Sequence, residues 1–325
     1  MRCFLGLIVS FIFASITGTV KVTLAKQQTA ERNTAAPPMS SEVSFAKSVV
    51  ANRALCSQSI ENSYQEPLAK LFAGEKLMKT KKRLKRTMKI DTGRNEVSTI
   101  TSRHMIIDKI IHDAMITYSS PHGPRQIVIM GAGFESRANR FSDVWPVKKW
   151  FEIDLAAPQQ HKLEILANHS IIDPDNLVRV AMNLTDVGSD WISSLEEAGW
   201  DPLVPTIYIL EGLVYYMNTD QAMTLLKSIP AVPESRIIVT VVEHGLHKIF
   251  ARFGVQWNTN LRMLKNAGGL QLKNYQLIGS FASHLPQRCG LKVRAVPLPL
   301  PFNTWERFCS LIHIPAECIL EYEAI

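Results

Sequence analysis

The sequence predicts an α/β fold: a doubly wound, mostly parallel sheet with an N-terminal helical lid. Three observations predict it. From residue 126 onward, short apolar runs alternate with helical stretches at close spacing, the pattern of a parallel sheet covered on both faces. Residues 44–120 read as helix. Residues with ligand-binding chemistry follow directly after four successive apolar runs, where an open parallel sheet holds its ligands. The 325 residues, 46% of them hydrophobic, suffice for a large core.

The first segment stands apart from this fold. Met1 and Arg2 precede an apolar run over residues 3–16, too short to span a bilayer comfortably but suited to the apolar part of a signal peptide. Thr23-Leu24-Ala25 offers small residues for cleavage, so residues 1–25 are expected to direct the chain to the secretory route. An uncleaved anchor or an organelle-targeting presequence is the alternative. Membrane contact is expected only through this segment, if it is retained. Residues 26–43, rich in Thr, Ala, Pro and Gln, read as a linker, and residues 44–325 as the folded domain, with helices over 44–120 and the core over 121–325.

Phe45, Val49, Val50, Ala54 and Leu55 recur at helical intervals. Pro67 opens a second helix and Gly74 ends it. Residues 76–89 mix Leu77, Met78, Leu84 and Met88 with cations, and much of the formal net charge of +7 sits there. This segment reads as a solvated helix face, or as a surface for an anionic substrate or membrane; with few aromatics to stack on bases, nucleic acid is not expected. Residues 100–118 form a helix with Ile106, Ile107, Ile110, Ile111 and Met115 on one face. Strands follow at 126–130, 149–154, 177–182, 206–210 and 236–242, with helices at 159–168, 190–198 and 219–229. Weaker strands at 291–296 and 318–322 suit an antiparallel edge. Cys56, Cys289, Cys309 and Cys318 lie far apart without a CxxC spacing, so no zinc site or other metal centre is expected.

The strand ends carry the chemistry. After the first strand stands Gly131-Ala-Gly133-Phe-Glu135-Ser136-Arg137, where two glycines permit a tight turn and close approach of a ligand. A dinucleotide fingerprint requires a further glycine where Ser136 stands, which disfavours a nicotinamide oxidoreductase. After the second strand, Glu152 and Asp154 face the same side. Asp154 can accept both hydroxyls of a ribose, or can cap the following helix. After the third, Asn183 can meet an adenine edge with Leu184 on the ring, or can cap a turn. After the fourth, the Glu211 carboxylate is costly to bury unless it meets a cation, either a ligand amine or an Arg or Lys from the lid.

Together these residues resemble a known family. Gly131 to Arg137 is similar to a GAGxDTR signature, Glu152-Ile-Asp154 to the E-x-D that follows it, and Glu211-Gly-Leu-Val-Tyr-Tyr216 to EGLxxY. Arg53-Ala54, the stretch from Glu66 to Gly74, and Arg103 through Asp108 resemble the helical part that precedes them. The family is the leucine carboxyl methyltransferase-like group, which includes polyketide O-methyltransferases, and the likeness covers residues 44–242. It implies a Rossmann-like methyltransferase fold with S-adenosyl-L-methionine as cofactor. By position, Arg103 would clamp the methionine carboxylate, Glu211 the amine, Asp154 the ribose, and Asn183 and Leu184 the adenine, with Gly131 and Gly133 as the floor. The sequence departs from the pattern at Glu135, Ser136 and Asn183, where Asp, Thr and Asp are usual.

Methyl transfer is a direct displacement, so holding the nucleophile, methyl and sulfur in line is the main task. The acceptor is expected to be a small molecule, acidic or phenolic. A carboxylate needs no base; a hydroxyl does, and His244, Glu243, Tyr215 and Tyr216 are the candidates. Residues 257–272 and the N-terminal helices are the candidate cover. Transfer to a protein C-terminus, and cofactor binding without catalysis, are the alternatives.

Overall fold

A computed structural model describes residues 40–57, 64–87, 99–117, 123–186, 190–242, 258–259, 261–266, 271–282 and 317–325. The segments expected as signal peptide and linker before residue 40, residues 88–89 of the basic segment, His244, Glu243, residues 257, 260 and 267–270 of the candidate cover and the strand expected at 291–296 lie outside the described residues. Among these residues no helix is long and apolar enough to cross a membrane.

Among the described residues, four helices come first: α1 (Ser41–Ser57), α2 (Pro67–Ala73), α3 (Glu75–Thr87) and α4 (Thr99–Thr117). Pro67 sits in the first turn of α2, where its missing N–H costs nothing, and Gly74 closes it at φ 78°. Strands and helices then alternate: β1 (Gln126–Met130), α5 (Arg137–Phe141), β2 (Lys149–Asp154), α6 (Ala156–Asn168), β3 (Leu177–Ala181), α7 (Trp191–Glu197), β4 (Thr206–Leu210), a 3-10 turn (Val214–Tyr216), α8 (Thr219–Ser228) and β5 (Arg236–Val242). Asp190 caps α7 and Asn218 forms a capping box with Gln221 on α8, which sets where each chain segment leaves its strand. The end of the chain adds α9 (Leu261–Asn266), β6 (Tyr275–Ala282) and β7 (Glu317–Ala324).

The seven strands lie in the order β3-β2-β1-β4-β5-β7-β6. The first five are parallel, and β7 is antiparallel to both β5 and β6. Residues 318–322 are antiparallel as expected, yet they are interior to the sheet: β6 holds the edge. That edge strand is unmarked by alternation because Leu277 and Ile278 are both exposed and a bulge falls between Leu277 and Gly279.

Alternate residues of each strand feed two cores. Val128 and Met130 join α7 and α8 on one face; Ile127 and Ile129 meet Ile106, Ile107, Ile110 and Ile111 of α4 on the other. α4 is therefore one of the layers covering the sheet. A third cluster gathers α1, α2 and α3 around Phe72, with Phe134 from the loop after β1 and Leu166 of α6. Because β2 and β4 flank β1, the chain reverses direction across the sheet beside β1, and the carboxyl ends of those three strands share one rim.

Candidate functional site

The rim is built first from the glycine loop. Gly131 and Gly133 have φ of 70° and 52°, a region that L side chains avoid. A Cβ on Gly131 would meet Leu213 Cδ1 at 2.9 Å, and one on Gly133 would meet Ala46 Cβ of α1 at 3.6 Å. The loop is thus a tight turn packed against Leu213, with Ala46 of α1 over Gly133.

Asp154, at the end of β2, accepts from the Gly133 N–H through Oδ2 and from the Leu155 N–H at 2.6 Å through Oδ1. Each oxygen keeps a lone pair for a further donor. Burial raises the Asp154 pKa, and the two backbone hydrogen bonds oppose that rise. Glu152, on the same side of the strand, is buried and held by Lys162 at 2.7 Å and Arg179 at 2.9 Å. It is an internal ion cluster, apart from the rim.

Glu211, after β4, meets cations of the protein. Arg103 Nε of α4 donates to its Oε1 at 3.0 Å; Arg137 Nη2 donates to Oε2 at 2.8 Å, and His104 Nδ1 lies 3.0 Å from the same oxygen. Burial alone would raise the Glu211 pKa, but His104, Arg137 and Arg103 outweigh it and hold the carboxyl well below its usual range. Arg103 Nη1 also donates to the Tyr215 hydroxyl at 3.2 Å. The Arg partner named as an alternative for Glu211 is therefore present, and it is Arg103 itself, joined by Arg137.

Behind this pair lies a buried ionic network. Arg137 donates to Glu135 and to Asp108, both at 2.6 Å. Arg140 donates to Asp108 at 2.9 Å and lies 2.9 Å from His104 Nε2. Glu135, where the family pattern has Asp, also accepts from the Ser136 and Arg137 N–H groups at 2.7 and 2.8 Å, so its extra methylene reaches the start of α5. Arg53 and Glu66, quoted above only for their resemblance, form a two-pronged pair at 2.9 and 3.0 Å. Arg53 then donates to Phe134 O at 2.6 Å, and Ser136 Oγ to Glu66 at 2.7 Å, tying the first helices to the glycine loop. His104, Glu135 and Glu211 bring ligand atoms within 4.8 Å of one another. Arg137 already bonds all three, so their shared centre holds a guanidinium.

Sequence reasoning missed His104, Arg137 and Asp108 as partners of the rim. The signal available was charge: Arg137 closes the GAGxDTR-like run, and Asp108 ends the R-x-x-x-x-D-like one. Asn183 is exposed, and its carbonyl oxygen accepts from Thr185 N–H at 3.1 Å and Thr185 Oγ at 2.7 Å, a turn cap. Leu184 lines a cavity of about 310 Å³ with Trp191, Gln221 and Leu225. Tyr216 is half-buried; its ring packs edge-on against Phe45 of α1 at 5.4 Å and at a tilt against Tyr215 at 4.7 Å. Of the candidate cover at 257–272, Asn258 N–H donates to Tyr215 O at 2.8 Å, and its amide donates to Tyr216 O at 2.7 Å.

A family model described as "Leucine carboxyl methyltransferase" matches residues 46–230, a stretch that holds every rim residue above. The chain belongs to that family. Among its relatives, a Streptomyces avermitilis protein provisionally named an S-adenosyl-L-methionine-dependent methyltransferase is 34% identical over 167 residues, 50% of this chain and 56% of that one. A Mycobacteroides abscessus protein of the same provisional name is 30% identical over 205 residues, 60% of this chain and 64% of that one. The chain thus spans about half the length of the curated relatives it matches. A solved structure from Thermobifida fusca, provisionally named a methyltransferase, is 12% identical with a TM-score of 0.48, covering 87% of this chain and 97% of that chain. Within the leucine carboxyl methyltransferase family, this member carries Glu135 in a structural place, capping α5 and clamping Arg137.

Proposed function

We propose that this chain is an S-adenosyl-L-methionine-dependent O-methyltransferase acting on a carboxylate or hydroxyl of a small molecule. One observation carries the reading: in a chain of this family, Arg103, Gly131, Gly133, Asp154 and Glu211 meet at the shared rim of β2, β1 and β4. The donor set fits the cofactor. A ribose diol needs two acceptor positions, and Asp154 keeps one on each oxygen. An amino acid zwitterion needs an anion beside a cation, and Glu211 lies 3.0 Å from Arg103. A close-lying adenosyl group needs a tight turn free of side chains at the strand end, which Gly131 and Gly133 supply at positive φ. Leu184 is the proposed adenine contact, with Asn183 as its neighbour.

When bound, the cofactor supplies an electrophilic methyl group on a sulfonium. The protein's own task is to hold, align and exclude water. α1 does part of this by passing over Gly133 with Ala46 and setting Phe45 against Tyr216. A carboxylate acceptor needs no base, and the family's name supports that class; for a phenolic acceptor, His244 and Tyr216 remain the proposed bases. We read residues 1–25 as a secretory signal.

Isothermal titration with S-adenosyl-L-methionine, followed by transfer of labelled methyl to small carboxylates, phenols, amines and a C-terminal peptide, tests the reading. Binding and transfer to a small oxygen acceptor support it. Absent binding, transfer confined to amines, or binding without transfer to any acceptor overturns it.

A further inference from the structure

None of the rim contacts above involves the basic segment of α3. On α1, Ala46 and Arg53 share the face toward the glycine loop, whereas Ser48 and Asn52 share the nearly opposite one, at about 100° per residue. Lys81 of α3 donates to Ser48 O at 3.1 Å and to Asn52 Oδ1 at 2.9 Å, so α3 packs on the side of α1 away from the glycine loop.

α3 is sorted by angle. Leu77, Met78 and Lys81 are turned inward, and Met78 is 3% exposed. Lys76, Lys79, Lys82 and Arg83 are exposed and fall within an arc of about 120° on the other side. The charge is concentrated as well. Residues 76–89 contain eight cations and no carboxylate, which leaves 28 of the 36 Lys and Arg residues against all 29 Asp and Glu in the rest of the chain. The molecule is electrically balanced apart from one helix and its continuation.

We propose that the exposed face of α3 docks the folded domain on an anionic lipid surface. The chemistry favours a charged plane over other polyanions. Six of the eight cations are lysines, point charges on flexible stems suited to a diffuse field, and the segment has no aromatic residue to stack on a nucleobase. A polybasic face is drawn to an anionic lipid surface by charge alone.

Flotation of the full chain with phosphatidylcholine vesicles, with and without phosphatidylserine, tests this. The expected result is stronger binding to the phosphatidylserine vesicles, falling as salt rises. Replacing Lys76, Lys79, Lys82 and Arg83 together by Gln should weaken partitioning roughly fivefold per cation. A variant with Lys76, Lys79 and Lys82 replaced by Arg should bind like the parent, and thermal unfolding of both variants checks that the fold is kept. Equal binding to both vesicle types that the Gln variant leaves unchanged would overturn the proposal and assign contact to the apolar run. Binding to an RNA or DNA oligonucleotide without vesicle binding overturns it too.

Discussion

Arg103 and Glu211, separated by more than a hundred residues in the chain, form a buried ion pair with Nε and Oε1 3.0 Å apart. α4 delivers the guanidinium and the end of β4 delivers the carboxylate, so the pair exists only because α4 packs against the sheet. The two side chains are 6% and 8% exposed, and Arg137 shares the carboxylate.

Arg103→Ala removes the proposed partner of the cofactor carboxylate while Arg137 and His104 still hold Glu211. Cofactor affinity measured by titration should fall by about 1.5–3 kcal/mol, roughly ten- to 150-fold. Affinity within twofold of the parent would remove Arg103 from the binding site.

Glu66→Gln strips charge from a carboxylate bonded by Arg53, Tyr64 and Ser136. Leaving Arg53 buried without its anion should cost about 3–5 kcal/mol in urea unfolding. An unchanged midpoint would show that the pair adds nothing.

Acid should unfold the parent protein steeply. Burial would raise the Glu66 and Glu211 pKa values, but the surrounding cations outweigh it and hold both below the ordinary 4.5; Asp108 is likewise held below 3.8. As pH falls, the unfolded chain therefore takes up protons before the folded one does. Stability is complete above about pH 4.5 and is lost progressively below it. A melting temperature that stays level from pH 7 to pH 3 would contradict this.

Gly131→Ala forces a side chain into positive φ and against Leu213. The backbone strain alone is worth about 1–2 kcal/mol. Leu213→Ala should relieve the contact but not the strain, so Gly131→Ala should cost less in urea unfolding when made in a Leu213→Ala background than in the parent. No cost in that background would show that crowding was the whole effect.

Asp154→Asn keeps one acceptor oxygen where two serve Gly133 and Leu155. The lost hydrogen bond should cost about 1 kcal/mol of stability, and cofactor affinity should drop by a larger factor than stability does. A stability loss with unchanged affinity would leave Asp154 a loop brace only.

Much of this protein was written locally. The period of the apolar runs set β1 to β5, Pro67 and Gly74 bounded α2, and Gly131, Asp154 and Glu211 stood out because each directly follows an apolar strand. Their meeting at one rim was also legible, since parallel strands linked by helices put all their carboxyl ends on one side.

Pairing across long separations was decided only by the tertiary structure. Whether Glu211 faced an amine or an arginine depended on where α4 packs. Glu135 could not be placed until α5 put the Arg137 guanidinium within its reach. β7 became an interior strand because β6, too irregular at Leu277 and Gly279 to announce itself, took the edge. The basic helix showed its charge from the sequence, but only its packing on α1 through Met78 and Lys81 turned the remaining cations outward. Periodicity reports the surroundings of a residue's own element; the partner of a buried charge depends on the distance between elements, which no local pattern encodes.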